Sequence, residues 1–197
     1  MNLLTPVTLQ GKQATLIPLS MDHCAALIEA AKDGELWKAW YSSVPTPEKM
    51  ASEIKRRLQW HSQGLLLPFT VIDNATQQPI GMTTYWRIDL MNRRCDIGWT
   101  WYRKSSQRTA INTECKLLLL THAFEALDCI AVTLTANQFN VESRRAIERL
   151  GAKLDGILRN LKIMPNGVIC DFYQYSIIQG EWAGVKTNLQ YKLEKQS

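Results

Sequence analysis

Three histidines, five cysteines and ten glycines are all the chain has of those types in 197 residues, and each scarcity excludes something. His23, His61 and His122 show no metal-ligand spacing, so no metal is assigned. Cys24, Cys95, Cys115, Cys129 and Cys170 are odd in number, scattered and without a C-x-x-C pair. That pattern fits free thiols in a reducing compartment, not a disulfide framework. No apolar run is long enough to span a bilayer, so no membrane partner is expected, and Leu117 to Leu120 is one part of a helix face. The opening Met-Asn-Leu-Leu-Thr-Pro has neither the basic region nor the apolar core of a signal peptide, so a cytoplasmic location is expected.

What is present is ordinary for a globular protein: 46% hydrophobic and 21% charged residues. The length predicts a single domain over 1–197, large enough for a substantial core. The net charge is +5. It suits an anionic ligand, either a nucleotide-bearing cofactor or a nucleic acid, and equally suits a plain solvated basic surface. No helix-turn-helix, finger or RNA-binding signature accompanies the charge, so nucleic acid is not expected as a partner.

Periodicity gives the order of elements. Residues 13–19 predict a strand, and Ser20 caps a helix with Cys24, Leu27, Ile28 and Ala31 on one face. Thr46 and Pro47 open a second helix that runs through Ile54, Leu58 and Trp60 to about Gly64. Strands at 67–72, 80–88 and 95–102 form an antiparallel meander. An apolar helix follows from about 112 to 127, then a strand at 130–135 and a helix at 141–150 stopped by Gly151. Strands at 154–163 and 168–178 flank Pro165-Asn166-Gly167, a hairpin signal. A last helix around 181–189 precedes a polar tail expected to fray over about 190–197. The central strand–helix–strand unit demands one parallel pair in an otherwise antiparallel sheet. The class is therefore α+β (α/β), with helices on both faces.

The most informative stretch runs from Asp96 to Glu114: a strand, a basic loop, and a helix starting on Asn112 or Thr113. The unpaired N–H groups of a helix start attract an anion. Arg103, Lys104 and Arg108 add positive charge there. After the next strand come Asn137 and Asn140-Val-Glu-Ser143.

Together these motifs resemble the GNAT superfamily of acetyl-CoA-dependent N-acetyltransferases, over nearly the whole chain and most specifically over 96–151. Within it the chain looks most like the Rim-type branch, which acetylates protein N-terminal amines. The resemblance implies a mixed sheet whose parallel pair splays at the cofactor site. Its acyl-CoA loop matches Gln107-Arg-Thr-Ala110-Ile-Asn112, with Ala110 and Asn112 in place of two glycines. By this resemblance the N–H groups of Arg108, Thr109, Ala110, Ile111, Asn112 and Thr113 would hold the pyrophosphate. Trp101, Tyr102 and Arg103 lie at the same cofactor site, and Asn137 and Asn140 would hold the pantetheine arm. Helix capping is the other reading of Asn140 and Ser143. Arg144 and Arg145 would meet a 3′-phosphate or simply be solvated.

The expected reaction transfers acetyl from acetyl-CoA to a primary amine by direct attack on the thioester. A CoA-binding regulatory protein with weak catalysis is the alternative. Many relatives protonate the leaving thiolate with a Tyr four residues after the Ser; here that residue is Ile147, and the resemblance to the Rim-type branch implies Ser143 as the acid instead. Rim-type enzymes use a Glu as base where Lys162 stands here, so Asp96, then Asp171, then water are the candidates. Main-chain N–H groups around Trp99 to Trp101 would stabilise the oxyanion. Trp37, Trp40, Tyr41 and Trp86, with Trp60, would wall the acceptor site or belong to the core. The acceptor is expected to be a protein N-terminus or a small amine, and family analogy suggests a homodimer.

Overall fold

Alternating and continuous apolar runs build an eight-stranded sheet in the computed structural model, which describes residues 5–195. In chain order the elements are β1 (Leu9–Gln10), β2 (Ala14–Pro18), α1 (Cys24–Lys32), α2 (Met50–Ser62), β3 (Leu66–Asp73), β4 (Gln78–Asp89) and β5 (Arg94–Tyr102). They continue with α3 (Ala110–Thr121), β6 (Ala131–Asn137), α4 (Val141–Leu150), β7 (Lys153–Ile163), β8 (Ile169–Ile178) and α5 (Gln179–Glu194). The strand order is β1-β2-β3-β4-β5-β6-β8-β7, and among the described residues only β5 and β6 pair in parallel. β3 is buried along most of its length because both faces of the sheet are covered there. β7 is exposed nearly throughout, as an edge strand must be.

Two cores sit on opposite faces. One joins α3, α4 and α5 to the sheet through Cys115, Leu119, Ile147, Trp182 and Leu189. The other packs Leu27 and Ala31 of α1 and Met50 and Ile54 of α2 against Met82 and Trp101. Three expectations needed revision. The central helix begins at Ala110, two residues early, because Thr109 rather than Asn112 is its cap. It ends in a π-helical turn at His122–Ala126. The last helix is longer than expected, reaching Glu194, so only 196–197 of the predicted tail lie outside the described residues.

Two irregularities mark the centre of the sheet. β5 and β6 share only the pairs Arg94↔Ala131, Cys95↔Val132 and Asp96↔Thr133. Beyond them β5 stays with β4 and β6 stays with β8, so the sheet opens into a fork. β5 also bulges: Gly98 faces Thr84 but Trp101 faces Met82, and Trp99 lies in the left-handed region at φ 49. Glycine is required at 98, since a Cβ there would come within 2.5 Å of Trp86 Nε1.

Candidate active site

Asp96 stands on the last rung before the fork. It is 7% exposed, and its Oδ2 has no hydrogen-bond partner among the described residues. Burial pushes its carboxyl up to about 6, against the opposing pull of Arg87, Arg94 and the Thr133 hydroxyl. Arg87 Nη1 lies 3.6 Å from Oδ2, close enough for attraction but not for a hydrogen bond. A carboxylate held this way is a stronger base than usual and is still ionised at neutral pH. Asp171, the second candidate, is committed elsewhere. It pairs with Arg159 at 2.5 Å and accepts the Asn160 N–H at 2.8 Å, bracing the β7–β8 ladder.

The fork opens beside the start of α3. Thr109 Oγ1 accepts the Ile111 N–H at 3.3 Å, leaving other first-turn N–H groups without helical acceptors. Ala110 and Asn112 fall within helical backbone, so neither needs the conformational freedom of glycine. The left-handed residue is Arg108, at φ 62. The Gln107 side chain turns back, donating from Nε2 to the Tyr102 carbonyl at 2.9 Å. It shapes the loop and is not aimed outward.

The basic loop is less free than its sequence implies. Arg103 Nε donates to Asp33 Oδ2 at 2.9 Å, and the same oxygen accepts the Ser105 hydroxyl at 2.6 Å. These bonds hold the Asp33 carboxyl below its ordinary value and anchor the loop to the end of α1. Arg103 is thus a brace and not a free cation. Trp101 and Tyr102 also point away from the loop, Trp101 into the α1–α2 core and Tyr102 into the α3 core. Arg108, Thr109, Asn112 and Thr113 line a 270 Å³ cavity with Arg149 and Lys192, a cationic recess at this helix start.

Across the fork, Asn140 caps α4 by accepting the Ser143 N–H at 3.0 Å. Capping is therefore one real function of this residue, and its Nδ2 donors stay free among the described residues. Asn137 is buried, accepts the Phe139 N–H at 2.9 Å and approaches Met164 Sδ. The Ser143 hydroxyl has no partner among the described residues and is half-buried on the first turn of α4. Arg144 is not free for a phosphate: its guanidinium lies 3.7 Å from the Tyr173 ring centre. Arg108 reaches Glu142 at 3.0 Å, an exposed pair linking the α3 and α4 starts.

The aromatic residues separate into two groups. Trp40 packs on Tyr41 and on Phe139, with centroids 5.8 Å and 5.2 Å apart, so the α1–α2 loop meets the β6–α4 loop. Trp86 stacks on Trp99 at 5.2 Å, and Trp60 tilts against Trp99 at 5.5 Å. Arg56, Arg57 and Arg87 lie over these rings. Trp37 packs into the α1–α2 core and joins neither group. Phe139 escaped the sequence reading, since it sits between two motif asparagines; Trp99 entered it only through its main-chain N–H, its ring reading as that of an ordinary strand residue.

A further polar group lies behind the bulge. Lys116 Nζ donates to Thr100 Oγ1 at 2.8 Å, and that oxygen shares a hydrogen bond with Thr83 Oγ1 at 2.8 Å. Glu114, also buried, accepts the N–H groups of Lys12, Gln13 and Ala14 at 2.9, 2.7 and 2.8 Å, fastening the β1–β2 turn to α3. Among the described residues no cluster of His, Cys, Asp and Glu could hold a metal, and no helix is long and apolar enough to cross a membrane.

A family model described as an acetyltransferase (GNAT) domain matches residues 13–153. YdaF of Bacillus subtilis (strain 168), provisionally named a ribosomal N-acetyltransferase, is 34% identical over 106 residues. That match covers 54% of this chain, and the chain spans 57% of YdaF's length. A GCN5-related N-acetyltransferase from Brucella melitensis superposes with a TM-score of 0.86 at 26% identity, covering 95% of this chain and 86% of that one. Mycobacterium smegmatis RimJ, solved with a CoA-disulfide, shares the fold at a TM-score of 0.83 and 20% identity, covering 98% of this chain and 97% of its own.

Proposed function

The chain belongs to the acetyltransferase (GNAT) family, and from that premise we propose that it moves the acetyl group of acetyl-CoA to a protein N-terminal amine. The observation that carries the reading is the fork. Two central strands part directly after Asp96 and Thr133, and the start of α3 stands at the open side. A main-chain opening of this kind accepts an extended arm between strands, while the helix start and Arg108 attract its phosphates. The name of YdaF and the CoA-disulfide in RimJ support the acceptor and the cofactor respectively.

Acetyl-CoA supplies the thioester; the chain's own residues do the rest. Asp96 takes the proton of the incoming ammonium, directly or through water, since an amine attacks only when neutral. The bulge at Trp99 takes main-chain N–H groups out of the regular ladder and leaves them to face the negative charge that develops on the carbonyl oxygen. Ser143, with its hydroxyl unengaged, gives a proton to the departing sulfur. Asn137 and Asn140, with the first-turn N–H groups of α3 that Thr109 does not cap, line the arm's path. Trp40 and Tyr41 with Phe139, and Trp86 with Trp99, wall the acceptor side. The free cysteines, four of them buried, suit the reducing cytoplasm.

Thiol release is the test, with peptides bearing free N-termini compared with the same peptides blocked at the N-terminus but carrying lysine. Release with the free N-terminus alone is expected. Release with the lysine peptides alone would overturn the acceptor assignment. Tight acetyl-CoA binding without any release would favour the CoA-binding regulator instead.

A further inference from the structure

Lys116 is a buried charged group of α3 that the mechanism above leaves unused. It is 6% exposed. No carboxylate pairs with it among the described residues. The adjacent Glu114 spends both oxygens on the main chain of 12–14. The Cys115 thiol, its titratable neighbour, is pushed up to about 12 by burial, and the Tyr102 phenol beside that thiol is raised as well, so both stay neutral. Burial alone pushes the ammonium down to about 8.

An unpaired buried cation is costly, and an apolar side chain of similar length would pack here without that cost. The position of its single hydrogen bond shows what the cost accompanies. Thr100 is on the far limb of the β5 bulge, and Thr83 is the β4 residue that the bulge skips. The Lys116–Thr100–Thr83 chain therefore ties the bulge to its neighbouring strand from the α3 face. The opposite face carries the Trp99 ring.

We infer that Lys116 is a positioning residue for acetyl transfer: through Thr100 it fixes the bulge N–H groups and lends them a buried positive charge. The inference rests on the acetyl-transfer reading above. No bond of Lys116 is made or broken; its ammonium, mostly protonated at neutral pH, acts through a low-dielectric interior on charge that develops at the bulge.

The test compares the whole protein with its Lys116→Met and Thr100→Val variants, measuring thiol release, acetyl-CoA affinity by calorimetry, and melting temperature. Lys116→Met should lower kcat on the order of tenfold. Its acetyl-CoA Kd should stay within about twofold, and its melting temperature should rise because the buried charge is gone. Thr100→Val should lower kcat in the same direction, and the double variant should lose no more than Lys116→Met alone. Wild-type kcat in Lys116→Met would overturn the inference. So would a fall in kcat accompanied by a fall in melting temperature, which is the signature of a merely structural lysine. Absence of thiol release in the wild type defeats the acetyl-transfer reading instead, so the two failures stay distinguishable.

Discussion

Replacing Asp96 by asparagine should make the protein more stable at pH 8 and leave it unchanged at pH 4. In the fold the carboxyl titrates near 6, against 3.8 for an unperturbed side chain. The gap of roughly two units converts at 1.36 kcal/mol each to about 3 kcal/mol. The sign follows from proton binding. Between the two values the folded state holds the proton more tightly than the unfolded state, so stability falls as pH rises through that window. Above about 6 the loss is complete, because both states are ionised and the folded one carries an unfavourable buried charge. Asparagine cannot ionise and escapes the loss. The shifted value already reflects the pull of half-exposed Arg87 at 3.6 Å and of Thr133, so the gain at pH 8 is about 3 kcal/mol. Urea unfolding of both proteins at pH 4 and pH 8 reads it directly. A variant less stable than the wild type at pH 8, or a difference independent of pH, would refute the burial argument.

Other outcomes are expected from the same geometry. Asp96→Asn should also lower kcat/KM by on the order of a hundredfold or more, measured by thiol release. Ser143→Ala should reduce kcat by about a hundredfold while acetyl-CoA affinity stays within about twofold, since the hydroxyl makes no structural bond among the described residues. Arg108→Glu should weaken acetyl-CoA binding about tenfold at low salt and less at high salt, because it reverses an exposed charge at the α3 start. Glu114→Gln should cost about 2–4 kcal/mol in urea unfolding, because an amide cannot accept all three main-chain N–H groups that the carboxylate satisfies.

Much of the fold was legible because periodicity is local. The meander and the parallel pair follow from apolar spacing and turn residues, and the helices on both faces from the family resemblance. The start of α3 was misplaced because Thr109, Asn112 and Thr113 all belong to capping residue types, and sequence gives no reason to prefer one. What stayed hidden was made by partners distant in the chain. Arg103 read as a phosphate ligand, but Asp33 claims it from 70 residues away. Arg144 read as either a 3′-phosphate ligand or a solvated residue, but it lies over Tyr173 of β8. Ile97-Gly-Trp-Thr-Trp101 reads as a regular strand, so its residues do not show the bulge, although the family resemblance implies exposed N–H groups around Trp99 to Trp101. The residue with left-handed backbone in the loop is Arg108, not either position where glycine was sought.

Calorimetric titration of the purified protein with acetyl-CoA tests the central claim most directly. The fork and the α3 start predict saturable, one-to-one binding at micromolar concentrations, weakened when 3′-dephospho-CoA replaces the full cofactor. No heat of binding up to millimolar acetyl-CoA would contradict it.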